Sequence, residues 1–193
     1  GFFMKRLIGF IIIFVSLLIF PAQVMADDFT IDQMTINVYL QNDGHVQVEE
    51  VQTYQFDGKF NGITRTLFHK EGTNITNVQA FENGEALNVL QEGSLYRIFR
   101  HAEDETVTIS FVYTIEDGVT VYSDVAEFYW GFFDTSNPTP YEQLDIIIHP
   151  PQPTSDVIAF GYDVVEGSAQ IEKNGTVHFK VGYVPEEKNG NIR

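Results

Sequence analysis

Residues 46–65 read VQVEEVQTYQFDGKFNGITR and decide the fold of the chain. The stretch opens with apolar and polar residues in alternation, the period of two that predicts a β-strand with one buried face. The alternation slips at Glu49-Glu50, because Val51 is apolar again, and we expect a β-bulge near these two acids. Asp57-Gly58 then supplies a strong turn signal, which predicts a hairpin.

We expect an ion pair across this hairpin between Arg65 and the Glu49-Glu50 step. A two-residue turn at Asp57-Gly58 sets Glu50 directly opposite Arg65, with the side chains about 5 Å apart. If residues 57–62 are all loop, Glu50 faces His69 instead and Arg65 has no acid opposite it. The turn chemistry of Asp-Gly favours the first register.

The predicted role of Glu49, Glu50 and Arg65 is structural. Paired carboxylates could also serve acid/base chemistry, as in glycoside hydrolysis. Adjacent residues of a strand point to opposite faces, however, so Glu49 and Glu50 cannot both address one bond without a bulge. The sequence therefore predicts no catalytic residue.

Short strands with regular turn signals fill the rest of the chain. The cleanest apolar stripe runs at period two from Val107 to Ile115, and Asn42-Asp43-Gly44, Asn83-Gly84 and Asn174-Gly175 mark turns between other strands. We find no stretch of helical period after residue 26. The pattern predicts an all-β chain folded as an antiparallel β-sandwich.

The N-terminal segment has the order of a secretory signal peptide. Lys5 and Arg6 precede an uncharged apolar run, residues 7–20, and small residues follow Pro21. A membrane anchor is the alternative, but a spanning helix needs about 20 apolar residues. We expect a cleavable signal-peptide helix over residues 1–26 and an exported domain over residues 27–193.

Composition restricts the possible partners. The net charge is −16, with 27 acidic residues against 11 basic ones, which repels nucleic acid and anionic membranes and keeps an exported domain soluble. Cysteine is absent, which excludes disulfides and thiolate metal sites. We expect no metal and no cofactor, since none of the five histidines shows metal-ligand spacing: His45, His69, His101, His149 and His178.

One aromatic cluster is the candidate binding site. Tyr129, Trp130, Phe132 and Phe133 could form a platform for a sugar or a peptide. A lone Trp in a β-sandwich more often belongs to the core. Alternation sets Trp130 and Phe132 on one face and Tyr129 and Phe133 on the other, so a platform cannot use all four.

A family resemblance rests on two groups of residues. The first comprises Asp43-Gly44, Val46, Val48-Glu49-Glu50, Tyr54, Phe56, Gly58, Phe60-Asn61-Gly62 and Arg65, and the second comprises Tyr129-Trp130-Gly131, Pro140 and the run from Leu144 to Pro150. On these residues the chain resembles the YciQ-like bacterial predicted membrane proteins over most of residues 30–165. The resemblance implies a signal peptide, a β-rich extracytoplasmic domain of unknown function and a later membrane helix. It implies no activity and no cofactor.

No membrane span follows Val184, and we expect the chain to be a fragment of a longer membrane protein.

Two functions remain open at this stage. The first is a binding or sensing module outside the cytoplasmic membrane that recognises an envelope protein or a glycan. It would touch the membrane only through the signal peptide or a missing C-terminal helix. The second is an envelope hydrolase acting on carbohydrate, which needs two carboxylates converging in a groove.

Overall fold

A computed structural model describes residues 28–133, 139–159, 161–162, 168–184 and 190–192. These residues form strands, turns and loops and no helix. The expected signal peptide, residues 1–26, lies outside the described residues. Within the described part of the chain, no helix is long and apolar enough to cross a membrane.

The described residues form sixteen strands. In chain order they are β1 (Asp28–Leu40), β2 (Val46–Asp57), β3 (Lys59–Thr66), β4 (Asn74–Glu82), β5 (Glu85–Leu87), β6 (Val89–Glu92), β7 (Leu95–Glu103), β8 (Thr106–Glu116), β9 (Val119–Val121), β10 (Ala126–Phe128), β11 (Trp130–Phe133), β12 (Tyr141–His149), β13 (Gly161–Tyr162), β14 (Ser168–Ile171), β15 (Val177–Val184) and β16 (Gly190–Ile192).

Eight strands form the main sheet, in the order β14-β15-β12-β1-β2-β8-β4-β5. Three smaller sheets have the orders β3-β7-β6, β11-β16-β13 and β10-β9. The all-β fold class is confirmed. One pair departs from an antiparallel arrangement, because β1 and β12 run parallel in the middle of the main sheet. Parallel strands cannot be joined by a tight turn, and about 100 residues of chain separate the end of β1 from the start of β12.

The turn signals join strands as the sequence predicts at three places. Residues 41–45 connect β1 to β2, Asn83-Gly84 connects β4 to β5, and Asn174-Gly175 lies between β14 and β15. Each of these strand pairs is antiparallel. At these three places the local turn chemistry predicts the hairpins correctly.

The core lies between the main sheet and the sheet β3-β7-β6. Alternate side chains of β8 point into it and are buried from Val107 to Ile115. The Tyr96 ring of β7 packs edge-on against Phe111 of β8, with ring centroids 5.8 Å apart. This contact joins the two layers of the sandwich.

The hairpin expected at Asp57-Gly58 is wrong. β2 pairs with β1 and β8 in the main sheet, whereas β3 pairs with β7 in the smaller sheet. At Gly58, whose φ is +97°, the chain passes from one layer to the other. Asp104 holds this corner, since its Oδ1 accepts from Gly58 N at 2.7 Å and its own N donates to Gly58 O at 3.1 Å.

The bulge expected at Glu49-Glu50 is also wrong. The pairing of β2 with β8 continues without a shift from Val46 to Gln55. The buried face of β2 simply includes two polar residues, Glu50 and Gln52, between its apolar ones. The register shift falls on β1 instead, between Ile31 and Gln33.

Candidate functional site

Glu50 and Arg65 meet inside the core, between the two layers. Glu50 comes from β2 of the main sheet and Arg65 from β3 of the smaller one. Arg65 Nε lies 2.7 Å from Glu50 Oε1 and Arg65 Nη2 lies 3.0 Å from Glu50 Oε2. Glu50 is 0% exposed and Arg65 is 7% exposed. The two groups thus form a bidentate, buried ion pair, although neither of the ladder registers we considered is the one that joins them.

Neighbouring polar groups satisfy the rest of the pair. Tyr113 Oη donates to Glu50 Oε2 at 2.8 Å, and Gln52 Nε2 donates to Glu50 Oε1 at 3.0 Å. Tyr54 Oη in turn donates to Gln52 Oε1 at 2.7 Å. Arg65 also donates to two backbone carbonyls, those of Thr66 and Phe132, at 2.8 Å each. A buried charge needs such a complete set of partners to be tolerated.

The network shifts the pKa values of Arg65, Tyr54 and Tyr113. Burial lowers the pKa of the Arg65 guanidinium, but the adjacent Glu50 carboxylate, together with Tyr141 and Tyr113, outweighs this effect and the pKa is raised. Burial, as the largest cause, raises the pKa of Tyr54 and of Tyr113 well above 10.0. At neutral pH the arginine is therefore charged and both tyrosines are proton donors.

Glu49 lies on the other face of the sheet from Glu50. It is opposite Asn37 on β1 and Val112 on β8, and it is half-buried. The two carboxylates are therefore directed away from each other and cannot act on one bond. Among the described residues, no group of three His, Asp or Glu side chains could hold a metal ion.

The aromatic candidates are divided between the core and the surface. Trp130 and Phe132 are each 1% exposed, so a ligand at the surface cannot stack on either ring. Trp130 packs edge-on against Phe68, with ring centroids 5.6 Å apart. Tyr129 is half-buried, and Lys70 Nζ lies 5.5 Å from the centre of its ring. Together the three residues do not form a platform.

The structure contains an apolar groove that the sequence did not indicate. The groove lies where β1 and β12 end and β15 begins, and it has a volume of about 260 Å³. It is lined by Leu40, Val125, Ala126, Phe128, Ile148, Asp156, Val157, Ile158, Ala159, Val177 and Phe179. These positions are up to 139 residues apart, from Leu40 to Phe179, so no local pattern could have grouped them.

Exposed apolar side chains border the groove. Val125 is 57% exposed and Ile158 is 78% exposed, and both line it. Val125 belongs to the tip of the β9–β10 hairpin, where Tyr122 N donates to Val125 O at 2.7 Å. Val121 and Tyr122 of the same tip are 75% and 53% exposed. Exposed apolar side chains that form a contiguous patch on a folded surface are typical of interaction sites.

The loop that forms one wall of the groove is held close to the β14–β15 turn. Thr154 N donates to Asn174 O at 3.0 Å. Gly175 has a φ of +87°, and a Cβ atom built on it would lie only 2.6 Å from Thr154 O. A residue without a side chain is therefore required at 175 for the loop to approach so closely.

The charge at the groove is acidic. Asp156 is the single charged residue among the lining residues named above. Asp124 lies in the hairpin tip between Tyr122 and Val125, and it is exposed. No Lys or Arg belongs to the lining, so a cation near the groove would meet negative charge without competition from the lining itself.

Similarity to known proteins extends to a family and to a fold. The family model described as "Predicted membrane protein (DUF2207) N-terminal domain" matches residues 30–193. No curated protein matches the chain.

Among solved structures, an M1 zinc metallopeptidase from Deinococcus radiodurans is similar at 12% identity and a TM-score of 0.51, over 90% of this chain and 44% of that one. Leukotriene A4 hydrolase from Saccharomyces cerevisiae is similar at 11% identity and a TM-score of 0.54, over 86% of this chain and 29% of that one. The chain thus spans less than half the length of either enzyme, and at these identities the likeness shows the fold alone.

Proposed function

Because the chain belongs to the family of predicted membrane protein (DUF2207) N-terminal domains, we propose that it is an extracytoplasmic binding module of a membrane protein. The observation that carries this proposal is the apolar groove, whose lining includes the exposed side chains of Val125 and Ile158. Soluble proteins rarely expose such a cluster without a partner. A concave apolar site with a few polar groups is also the usual form of a binding site.

The proposed location rests on the N-terminal segment and the proposed partner on charge. Lys5-Arg6, the apolar run and the small residues before Asp27 have the order of a signal peptide. The acidic surface disfavours nucleic acid. In this proposal the module recognises an envelope protein, and its attachment to the membrane lies outside the described residues.

The carbohydrate hydrolase finds no support in the site. Such an enzyme needs two carboxylates converging on one bond. Glu50 is buried and bound by Arg65, Tyr113 and Gln52, and Glu49 is directed to the opposite face. The distant peptidase folds supply no argument for that activity either, because they show the fold alone.

A neutral apolar dye tests the groove. We expect Nile red to bind the full chain with an increase in fluorescence and to lose most of that binding in Ala126→Trp, because the indole would fill the groove. Ala86→Trp is the matched control: Ala86 is likewise an exposed strand residue, and it lies on β5 at the far edge of the main sheet. Equal dye binding by the wild type and Ala126→Trp would contradict the proposal.

The proposed location is tested by the N-terminus of the exported protein. Sequencing should begin at Asp27 or within a few residues of it. Membrane-bound protein that retains Met4 would show that residues 1–26 are an anchor. That result would replace the proposed signal peptide with an N-terminal anchor and would not affect the proposed binding groove.

A further inference from the structure

We propose that the groove receives an apolar side chain from a partner peptide that carries Lys or Arg next to it. This inference rests on the proposed function and adds the chemical class of the partner. It combines three observations: the size of the groove, the apolar character of its lining and the acidic residues at its border.

The size of the groove favours a side chain over a larger ligand. Pockets for drug-sized ligands have volumes of about 300–1,000 Å³, and this groove has about 260 Å³. A single large apolar side chain buried in such a site acts as an anchor of an interface. Three of the lining residues already pack into the core, since Ile148, Val177 and Phe179 are each at most 9% exposed.

The acidic residues near the groove favour a basic residue of the partner next to that anchor. Asp156 lies on the lining and Asp124 lies in the exposed hairpin tip, one residue from Val125. A basic residue next to the anchor would meet Asp156 on the lining, whereas an acidic residue would be repelled. Charges at the border of an interface act mainly on specificity and on the rate of association.

Two other occupants fit the observations less well. A bilayer is flat and anionic headgroups attract basic clusters, while this surface is concave, bordered by acids and part of a chain with net charge −16. A second copy of the chain would bring an equal negative charge to the interface. We therefore assign the groove to a basic, apolar peptide.

Three fluorescently labelled peptides of equal length test the assignment by anisotropy with the full chain. One has a central Leu-Phe core between lysines, one has the same core between glutamates, and one has lysines around a Ser-Gly core. We expect the lysine peptide with the apolar core to bind at least about tenfold more tightly than the glutamate peptide. We expect the Ser-Gly peptide to bind weakly, because it has no anchor.

Single substitutions connect the preference to the groove. Asp156→Asn should weaken binding of the lysine peptide with the apolar core about two- to fivefold, the effect of one exposed charge pair. Glu85→Gln is the control, because Glu85 is an exposed acid on β5 at the other edge of the main sheet. It should leave the binding of both this peptide and Nile red unchanged. Ala126→Trp should abolish peptide binding.

The possible failures can be told apart. Equal affinity for the lysine and glutamate peptides, with Nile red still bound, would overturn the basic partner and leave the groove. Absence of dye binding would overturn the proposed function itself. Cosedimentation with phosphatidylcholine vesicles that Ala126→Trp abolishes would assign the groove to lipid. A dimer in analytical ultracentrifugation that Ala126→Trp dissociates would assign it to a second copy.

Discussion

Glu50 occupies a position where the alternation of its strand calls for an apolar side chain. Val46, Val48, Tyr54 and Phe56 share that face of β2 and are all buried. An unpaired carboxylate there would cost several kcal/mol of desolvation. The position is tolerated because Arg65 enters from the other layer and meets it in bidentate geometry.

We expect removal of Arg65 to destabilise the domain strongly. Arg65→Met keeps much of the aliphatic stem but leaves the Glu50 carboxylate buried without its cation, which should cost about 3–5 kcal/mol in the free energy of unfolding. Adding Glu50→Gln should recover part of that loss, because no charge is then left behind. Urea unfolding of the wild type, Arg65→Met, Glu50→Gln and the double variant gives the coupling energy between the two side chains.

An exposed pair in the same protein provides the control for that cycle. Lys59 Nζ lies 3.5 Å from Glu103 Oε1, with side chains 76% and 63% exposed. Because water screens such a pair, its coupling energy should be at most about 1 kcal/mol. If the Glu50–Arg65 cycle gave a coupling no larger than this, the pair would not be the structural element we take it to be.

The buried tyrosines of the network predict alkaline sensitivity. Burial, together with the charge of Glu50, raises the pKa of Tyr113 in the folded state well above 10.0. Above that ordinary pKa the unfolded chain releases a proton that the folded chain keeps, so stability is complete below it and falls as pH rises. The loss is about 1.4 kcal/mol per pH unit for each such tyrosine.

Tyr113→Phe isolates this contribution. The variant loses the hydrogen bond to Glu50 and is expected to be less stable at neutral pH. Its free energy of unfolding should fall less steeply above pH 10, because one titrating group has been removed. Parallel slopes for the two proteins in urea titrations across that range would count against the prediction.

At the scale of elements, β8 shows how much one strand contributes. Phe111 points into the core, is 0% exposed and contacts the rings of Tyr96 and Tyr113. We expect Phe111→Ala to cost about 3–5 kcal/mol through lost burial and the cavity it leaves. Val112→Ala, on the other and half-buried face, should cost less. Equal losses in urea unfolding would mean that both faces of β8 are packed alike.

Elements defined by local chemistry could be predicted from the sequence. The apolar stripe on β8 lies on one face of a single strand. The turn residues at 42–44, 83–84 and 174–175 join strands that are neighbours in the sequence. The junction at Asp57-Gly58 could not be predicted in this way. Its residues specify a turn, but whether β3 pairs with β2 or crosses to β7 depends on the whole core.

The same limit explains the misread alternation in β2. A polar residue at a buried position can be recognised only when its partner is known, and the partner of Glu50 is 15 residues away and in another sheet. The opposite charges of Glu50 and Arg65 and their short separation in the sequence were enough to predict an ion pair. The geometry that relates them, a contact between layers, is a property of the tertiary fold.

At the scale of the whole molecule, the groove is the feature that the sequence pattern predicted least well. Its lining comes from β1, β10, β12, β15 and the segments before β10 and after residue 155. In the sequence, Val125 and Ile158 look like ordinary apolar residues of short strands. In the structure Val125 lies in a hairpin tip and Ile158 in a loop, and an alternation pattern carries no information about their exposure there.

The net charge of −16 predicts how stability responds to salt. Repulsion among surface acids favours the unfolded chain, and screening shortens from about 10 Å to about 3 Å between 0.1 M and 1 M salt. We therefore expect the free energy of unfolding to rise with potassium chloride. Chloride is suitable because strongly excluded anions such as sulfate would also strengthen apolar burial.

The buried pair should respond differently from the surface. Screening acts weakly on charges that solvent does not reach, so the Glu50–Arg65 coupling energy should remain constant over the same salt range, whereas the exposed Lys59–Glu103 coupling should decline. Urea unfolding of both double-mutant cycles at low and high potassium chloride measures this contrast. A Glu50–Arg65 coupling that fell in parallel with the surface pair would mean that water reaches the pair. The closed contact between the two layers would then have to open in solution.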